Sequence, residues 1–140
     1  MKTTLKLTVL LMIGAGLAAC ESEAPGVDLS TELTGAEWVI EDIAAGGVID
    51  NSQPSLLFQE DGSLAGSTGC NRILGQYALD GQTLTIEPAG TTMMACPPAL
   101  MNQERKLLDL LPMITTAQID ETGALRLGGA EGIAITARRQ

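Results

Sequence analysis

The 140-residue chain predicts a mainly β domain: a small antiparallel, barrel-like structure of about eight strands with one α-helix over about residues 98–111. Three observations lead there. From Trp38 onward apolar and polar residues alternate, the period of half-buried strands. Glycine-containing turn signals recur between the alternating runs. One segment alone abandons period two for the spacing of a helix face.

The chain opens with Lys2 and Lys6, then an apolar run from Leu7 to Leu17, then Leu17-Ala18-Ala19-Cys20. Residues 1–19 read as a signal sequence, and small residues before Cys20 suit a signal peptidase. The motif resembles a bacterial lipobox, with Cys20 as the lipidated residue. A membrane span needs about 20 apolar residues, more than this run supplies. A plain cleaved signal is the alternative; it leaves Cys20 as an unpaired exposed thiol. Residues 20–32 follow as the lipidated cysteine and a polar, flexible tether. Docking of Leu29 and Leu33 on the domain is the competing reading.

Residues 33–140 form the domain. Trp38, Ile40 and Ile43 mark a first strand; Leu56 and Phe58 mark a second. Glu60-Asp61-Gly62 turns the chain into a third strand with Leu64 and Gly66. Tyr77 and Leu79 lead through Asp80-Gly81 to Leu84 and Ile86, a hairpin signal in which glycine supplies a positive φ. Ile119 leads through Glu121-Thr122-Gly123 to Leu125 and Leu127. Ile133, Ile135 and Ala137 complete the strands. After Pro97-Pro98, Leu100, Leu107, Leu108 and Leu111 fall at i, i+7, i+8 and i+11, one face of a helix. Pro98 fits its first turn and Pro112 ends it. The helix is expected to cover one end or face of the barrel, with Glu104, Arg105 and Lys106 between its leucines.

The chain has 8 Lys and Arg, 17 Asp and Glu, and no His. Two of the basic residues, Lys2 and Lys6, lie in the leader. The remainder therefore has six basic and 17 acidic residues, a net charge of −11. Such a chain is repelled by nucleic acid and anionic head groups, so membrane attachment falls to acyl chains. Absence of histidine removes Ser-His-Asp triads, Cys-His pairs and most zinc sites. No catalytic residue, metal ligand or cofactor is expected. One Trp, one Tyr and one Phe leave no aromatic stacking platform.

Cys70 and Cys96 are an even pair behind an export signal, the setting in which a disulfide forms. The bridge would close a loop of about 26 residues, worth roughly 3–4 kcal/mol in the chain-entropy model. Reduced buried thiols are the alternative. Redox chemistry lacks a C-x-x-C spacing, and metal binding lacks partners.

Six blocks resemble the META domain, the family that includes heat-shock-inducible bacterial lipoproteins. They are Leu33 to Trp38, Leu57 to Gly62, Gly66 to Arg72 with Gly75-Gln76-Tyr77, Thr91 to Cys96, Glu104 to Leu111, and Leu125 to Leu127. The resemblance spans about residues 33–138. It implies a compact barrel-like domain with one helix, no established enzymatic activity, and an association with envelope stress and tolerance of noxious compounds.

Gly69, Asn71, Arg72 and Gly75 are the candidate contact residues. Gly69 suits a positive φ or close approach, and Asn71 suits left-handed geometry. Arg72 serves either as the charged donor of a small binding patch or as the ion-pair partner of a nearby carboxylate beside a bulge. Alternation places one of Met93 and Met94 inside and one outside. The acidic pairs read as solvated turns.

These readings lead to a monomeric, non-enzymatic, lipid-anchored envelope protein that contacts other envelope proteins under stress. Glu21 after the lipidated cysteine points to the outer membrane, facing the periplasm. A small-ligand-binding barrel or an inhibitor-like module is the alternative, and a ligand-sized apolar cavity would distinguish the first of these.

Overall fold

In a computed structural model of the chain, residues 28–140 are described. The signal sequence, Cys20 and the stretch through residue 27 lie outside them. Each alternating run becomes a strand: β1 Glu37–Ile43, β2 Ser55–Phe58, β3 Ser63–Ser67, β4 Arg72–Asp80, β5 Thr83–Thr91, β6 Thr116–Ile119, β7 Ala124–Gly129 and β8 Gly132–Arg139. The order is β1 to β8 without a crossover, and β8 pairs with β1 to close an antiparallel barrel. Closure is thinnest between β5 and β6. Thr83 opposite Thr116 is their one register pair. Two further backbone bonds, Leu84 N–H to the Thr115 carbonyl and Ala117 N–H to the Gln82 carbonyl, reinforce it.

The inward side chains fill the barrel. Trp38, Phe58, Ile40, Leu56, Leu64, Ile73, Leu84, Leu125, Leu127 and Ile135 are all buried. Phe58 and Tyr77 meet edge to face with ring centroids 5.0 Å apart. Each such aliphatic or aromatic side chain contributes about 1.5–3 kcal/mol of burial.

Helix α2, Pro98–Leu110, forms where the leucine spacing places it, with Pro98 in the first turn. Pro112 lies within a 3₁₀ turn, Leu111–Met113, that continues the chain beyond α2. Leu107 and Leu111 join the core. Residues at the end of the tether reading form a second helix, α1, Leu29–Leu33. The Asp28 carboxylate accepts from the Ser30 amide as its N-cap. Leu33 is buried, and its carbonyl accepts the Trp38 indole N–H at 2.9 Å. A buried indole needs such a partner, so α1 closes the end of the barrel where β1 starts. The guanidinium of Arg139 sits over the same indole, 5.2 Å from the ring centroid.

Ile133 departs from the expected inward alternation. It is 50% exposed, because the β7–β8 register shifts between Leu127 and Gly128. A bulge of this kind moves residues beyond it to the other face. In the Asp80-Gly81 hairpin, Gly81 has φ 59° and Gln82 does not take a positive φ, the pattern of a II′ turn.

Two other hairpins share one design. In Gln59–Ser63 and Asp120–Ala124 the first residue's amide donates to the last residue's carbonyl and its own carbonyl accepts from a glycine of positive φ, Gly62 or Gly123. Asp61 accepts from the Ser63 hydroxyl and amide. Asp120 accepts from Thr122, from Ala124 and, at 2.8 Å, from Arg126. The Thr122 hydroxyl first, then Arg126 and the Ala124 amide, hold the Asp120 carboxyl well below the usual carboxylate range. A depressed folded-state pKa contributes stability above the unfolded value of about 3.9, lost as pH falls below it. Asp120→Asn is therefore expected to lower the urea midpoint at pH 7, with the gap to wild type narrowing from about pH 4 downward. A gap unchanged at pH 2.5 would contradict this assignment.

Candidate functional site

The Gly69 to Arg72 block is the loop between β3 and β4, closed by the Thr68 amide bonding the Asn71 carbonyl at 2.8 Å. Gly69 is required there twice over. Its φ is 91°, and a Cβ would stand 2.9 Å from Ser52 Cβ and 3.0 Å from the Ser52 carbonyl oxygen. Gly75 serves a different close approach, at a register shift between β4 and β5. A Cβ there would meet the Glu87 carbonyl oxygen at 2.7 Å. Cys70 and Cys96 are disulfide-bonded, tying this loop to the segment that enters α2.

Asn71 does not use left-handed geometry. It is buried, and its carboxamide is fully engaged. Oδ1 accepts from the Met94 amide at 2.7 Å and from the Thr92 hydroxyl at 2.9 Å. Nδ2 donates to the Met94 carbonyl at 3.3 Å and to Glu104 Oε1 at 3.1 Å. The side chain thus pairs with Met94 as a neighbouring strand would. The other oxygen of Glu104 accepts the Thr68 hydroxyl at 2.6 Å. One position back on α2, Gln103 accepts from the Ile49 amide at 2.8 Å. It donates to Ser52 Oγ at 3.1 Å and the Thr68 carbonyl at 3.0 Å.

Gln103 and Glu104 therefore bind two loops at one end of the barrel, β1–β2 and β3–β4, and through Asn71 they reach the β5–α2 segment as well. Glu104 is 7% exposed and forms no ion pair among the described residues. Its two oxygens accept instead from the uncharged Thr68 and Asn71 side chains. The sequence spacing gave no sign of this, since an acid between leucines reads as the solvated face of a helix. The one available signal was Glu104 standing inside the block that resembles the family.

Arg72 is exposed and pairs with no carboxylate among the described residues. Its backbone amide, rather than its side chain, is used, donating to Thr92 Oγ1 at 3.0 Å. The guanidinium borders a groove of about 660 Å³ on the outer face of β1–β4. Cross-strand pairing builds the floor, with Leu57 opposite Ala65 and Ala65 opposite Leu74. In the next row Ser55 faces Ser67 and Ser67 faces Arg72. Met94 forms the wall, held by Asn71. β5 ends at Thr91, so strand alternation does not extend to the methionines and both are exposed, Met93 at 95% and Met94 at 59%. Leu74 is 61% exposed.

Residues 31–140 match the family model described as META domain. No curated protein sequence matches the chain. An NMR structure of a protein from Burkholderia xenovorans is similar at 27% identity and a TM-score of 0.64, covering 86% of this chain and 96% of that one. A second NMR structure is similar at 26% identity and a TM-score of 0.55, covering 77% and 92%. The crystal structure of a DUF4847 family protein from Bacteroides vulgatus ATCC 8482 shares the fold, with a TM-score of 0.61 and 15% identity over 79% and 96%.

Glu104→Ala removes the shorter acceptors of the Thr68 hydroxyl and an Asn71 amide hydrogen, leaving them the Asn71 carbonyl at 3.2 Å and Cys70 Sγ at 3.4 Å, and is expected to cost about 2–4 kcal/mol in denaturant unfolding. Glu104→Gln keeps the shape but sets an amide donor where the carboxyl accepted from Thr68 or Asn71, so it is expected to recover only part of that loss. Replacing Cys70 and Cys96 by serine removes a bridge of sequence separation 26. It is expected to cost roughly 3–4 kcal/mol, read as a fall in thermal midpoint that reductant reproduces in the wild type.

Proposed function

The chain belongs to the META domain family, and on that premise we propose that it is a lipid-anchored, non-catalytic interaction module of the bacterial cell envelope. Its reading as a stress-protective protein rests on the family resemblance. The observation that carries the interaction reading is where the polar chemistry is spent. The META domain is not a known enzyme family, and the buried acid of this chain, Glu104, has both oxygens committed to holding loops. The barrel interior is filled by side chains, which counts against a ligand held inside it. The groove beside Arg72 leaves the outer face as the surface for contact.

The anchor reading is supported by the leader and Cys20 in the sequence. Among the described residues, no helix is long and apolar enough to cross a membrane. With a net charge of −11 after the leader, acyl chains are the attachment consistent with the composition. Glu21 supports the outer membrane, and the acidic surface argues against nucleic acid as a partner.

Photo-cross-linking in intact cells from a probe at Met93 is expected to trap an envelope protein. Cys20→Ser is expected to move the chain from the membrane fraction to the soluble fraction and to abolish that adduct. No adduct from any exposed position would overturn the interaction module; a Cys20→Ser chain still in the membrane fraction would overturn the anchor.

A further inference from the structure

Arg72 differs from the other cations of the domain. Arg126 pairs with Asp120 and Arg138 with Glu41. Arg139 donates to the Glu32 carbonyl and covers Trp38. Arg105 donates to Asn102, and Lys106 Nζ reaches the Ile43 carbonyl at 3.5 Å. Arg72 has no such side-chain partner among the described residues. Directly across from it, Ser67 Oγ accepts from the Gly69 amide at 3.0 Å and has its own hydrogen to give. A guanidinium and a hydroxyl donor therefore stand side by side at the border of a floor made by Leu57, Ala65 and Leu74, walled by Met94. Glu37 lies at the opposite border, three strands away. Strand spacing sets that separation at about 14 Å, the length of about four extended residues.

The geometry points to this groove as the docking site for an extended protein segment that presents one carboxylate beside apolar side chains. This assignment rests on the interaction reading above and names the chemistry of its partner. Charge selects the occupant. The Arg72 fork matches a carboxylate with two parallel bonds, and an apolar floor beside it strengthens the pair by excluding water. The acidic field of the domain repels polyanions, so nucleic acids and clustered phosphates are disfavoured where a single carboxylate is not. An acyl chain would call for an enclosed apolar channel, whereas this groove is open, and the Ser67 hydroxyl hydrogen at its border suits a peptide carbonyl; the Ser55 and Thr92 hydroxyls there are already given to Glu37 and Asn71. Glu37 adds a second preference, for a basic residue about four positions from the acid. A second copy of this chain is disfavoured by the repulsion between two such acidic domains.

The test is selection from a random decapeptide display library on the whole mature chain, purified in mild detergent. Binders are expected to carry Asp or Glu within two positions of Leu, Ile, Val or Met, with Lys or Arg enriched about four positions away. Arg72→Glu, a surface change whose thermal midpoint should match wild type, is expected to weaken the selected peptides about tenfold or more. Selection on that variant should exchange the acid for a base. Leu74→Ser should weaken the same peptides without changing their charge preference. Amide shifts on binding should centre on Ala65, Ser67 and Leu74. Peptides with no acidic preference, affinity unmoved by Arg72→Glu, shifts on another face, or no binders at all would overturn the groove assignment. A cross-linked partner in cells alongside that result would leave the interaction module standing; absence of both would remove the two together.

Discussion

Two adjacent polar side chains on α2, Gln103 and Glu104, determine how one end of the barrel is arranged. Buried polar groups must be paired, and a buried carboxylate most of all. Glu104 meets that demand through Thr68 and Asn71, and Gln103 through Ile49, Ser52 and Thr68. No buried side-chain nitrogen or oxygen among the described residues lacks a partner. Burial of Leu107 and Leu111 sets which face of α2 meets the barrel, and hydrogen bonds set its position more finely. A displaced helix leaves a carboxylate and a carboxamide stranded. The leucines hold the helix on the barrel, and the polar pair sets where.

From that arrangement the outer surface follows. Asn71 grips Met94 by both its amide and its carbonyl. The disulfide holds the same segment two residues later. The groove wall is thus an extension of the interior network, and its position does not depend on contacts made by the exposed methionine side chain. Rigid backbone under an adaptable thioether is a combination suited to recognition. It also explains why Gly69 is confined as it is: Ser52 and Gln103 crowd the space that a side chain there would need.

Much of the fold was legible because the strands obey a period-two rule and the hairpins use glycine where a positive φ is needed. Trp38, Ile40, Leu56, Phe58, Leu84 and Ile86 are inside as alternation requires. The disulfide was legible as a pair in context. Other features were hidden for identifiable reasons. Ile133 lies beyond a register shift, and alternation carries no information across a bulge. Residues 29–33 mix three polar residues with Leu29 and Leu33, so composition leaves tether and docked element in competition; Leu33 in the core, Leu29 packed against it and one carbonyl on Trp38 decide it. Glu104 and Gln103 resemble a solvent face, since helix periodicity reports apolar residues and is silent about buried polar ones. Asn71 was recognised as special, but its work is done by its carboxamide on distant backbone. Sequence alone allows Arg72 to be either an ion-pair partner or a free donor, and only the placement of carboxylates in space separates the two.

The pairing of β8 with β1 carries a consequence for time. Trp38 in β1 lies opposite Arg139 at the far end of the chain. β1 is made early, and one of its edges has no partner until the final strand exists. The pairing joins the two ends of the barrel's chain, and such non-local contacts favour slow folding, on the order of milliseconds to seconds for such topologies. A growing chain can form the β2–β3 and β4–β5 hairpins but not the ring that encloses them. Closure therefore comes late, and until it occurs the first strand's free edge can be met by any other extended chain.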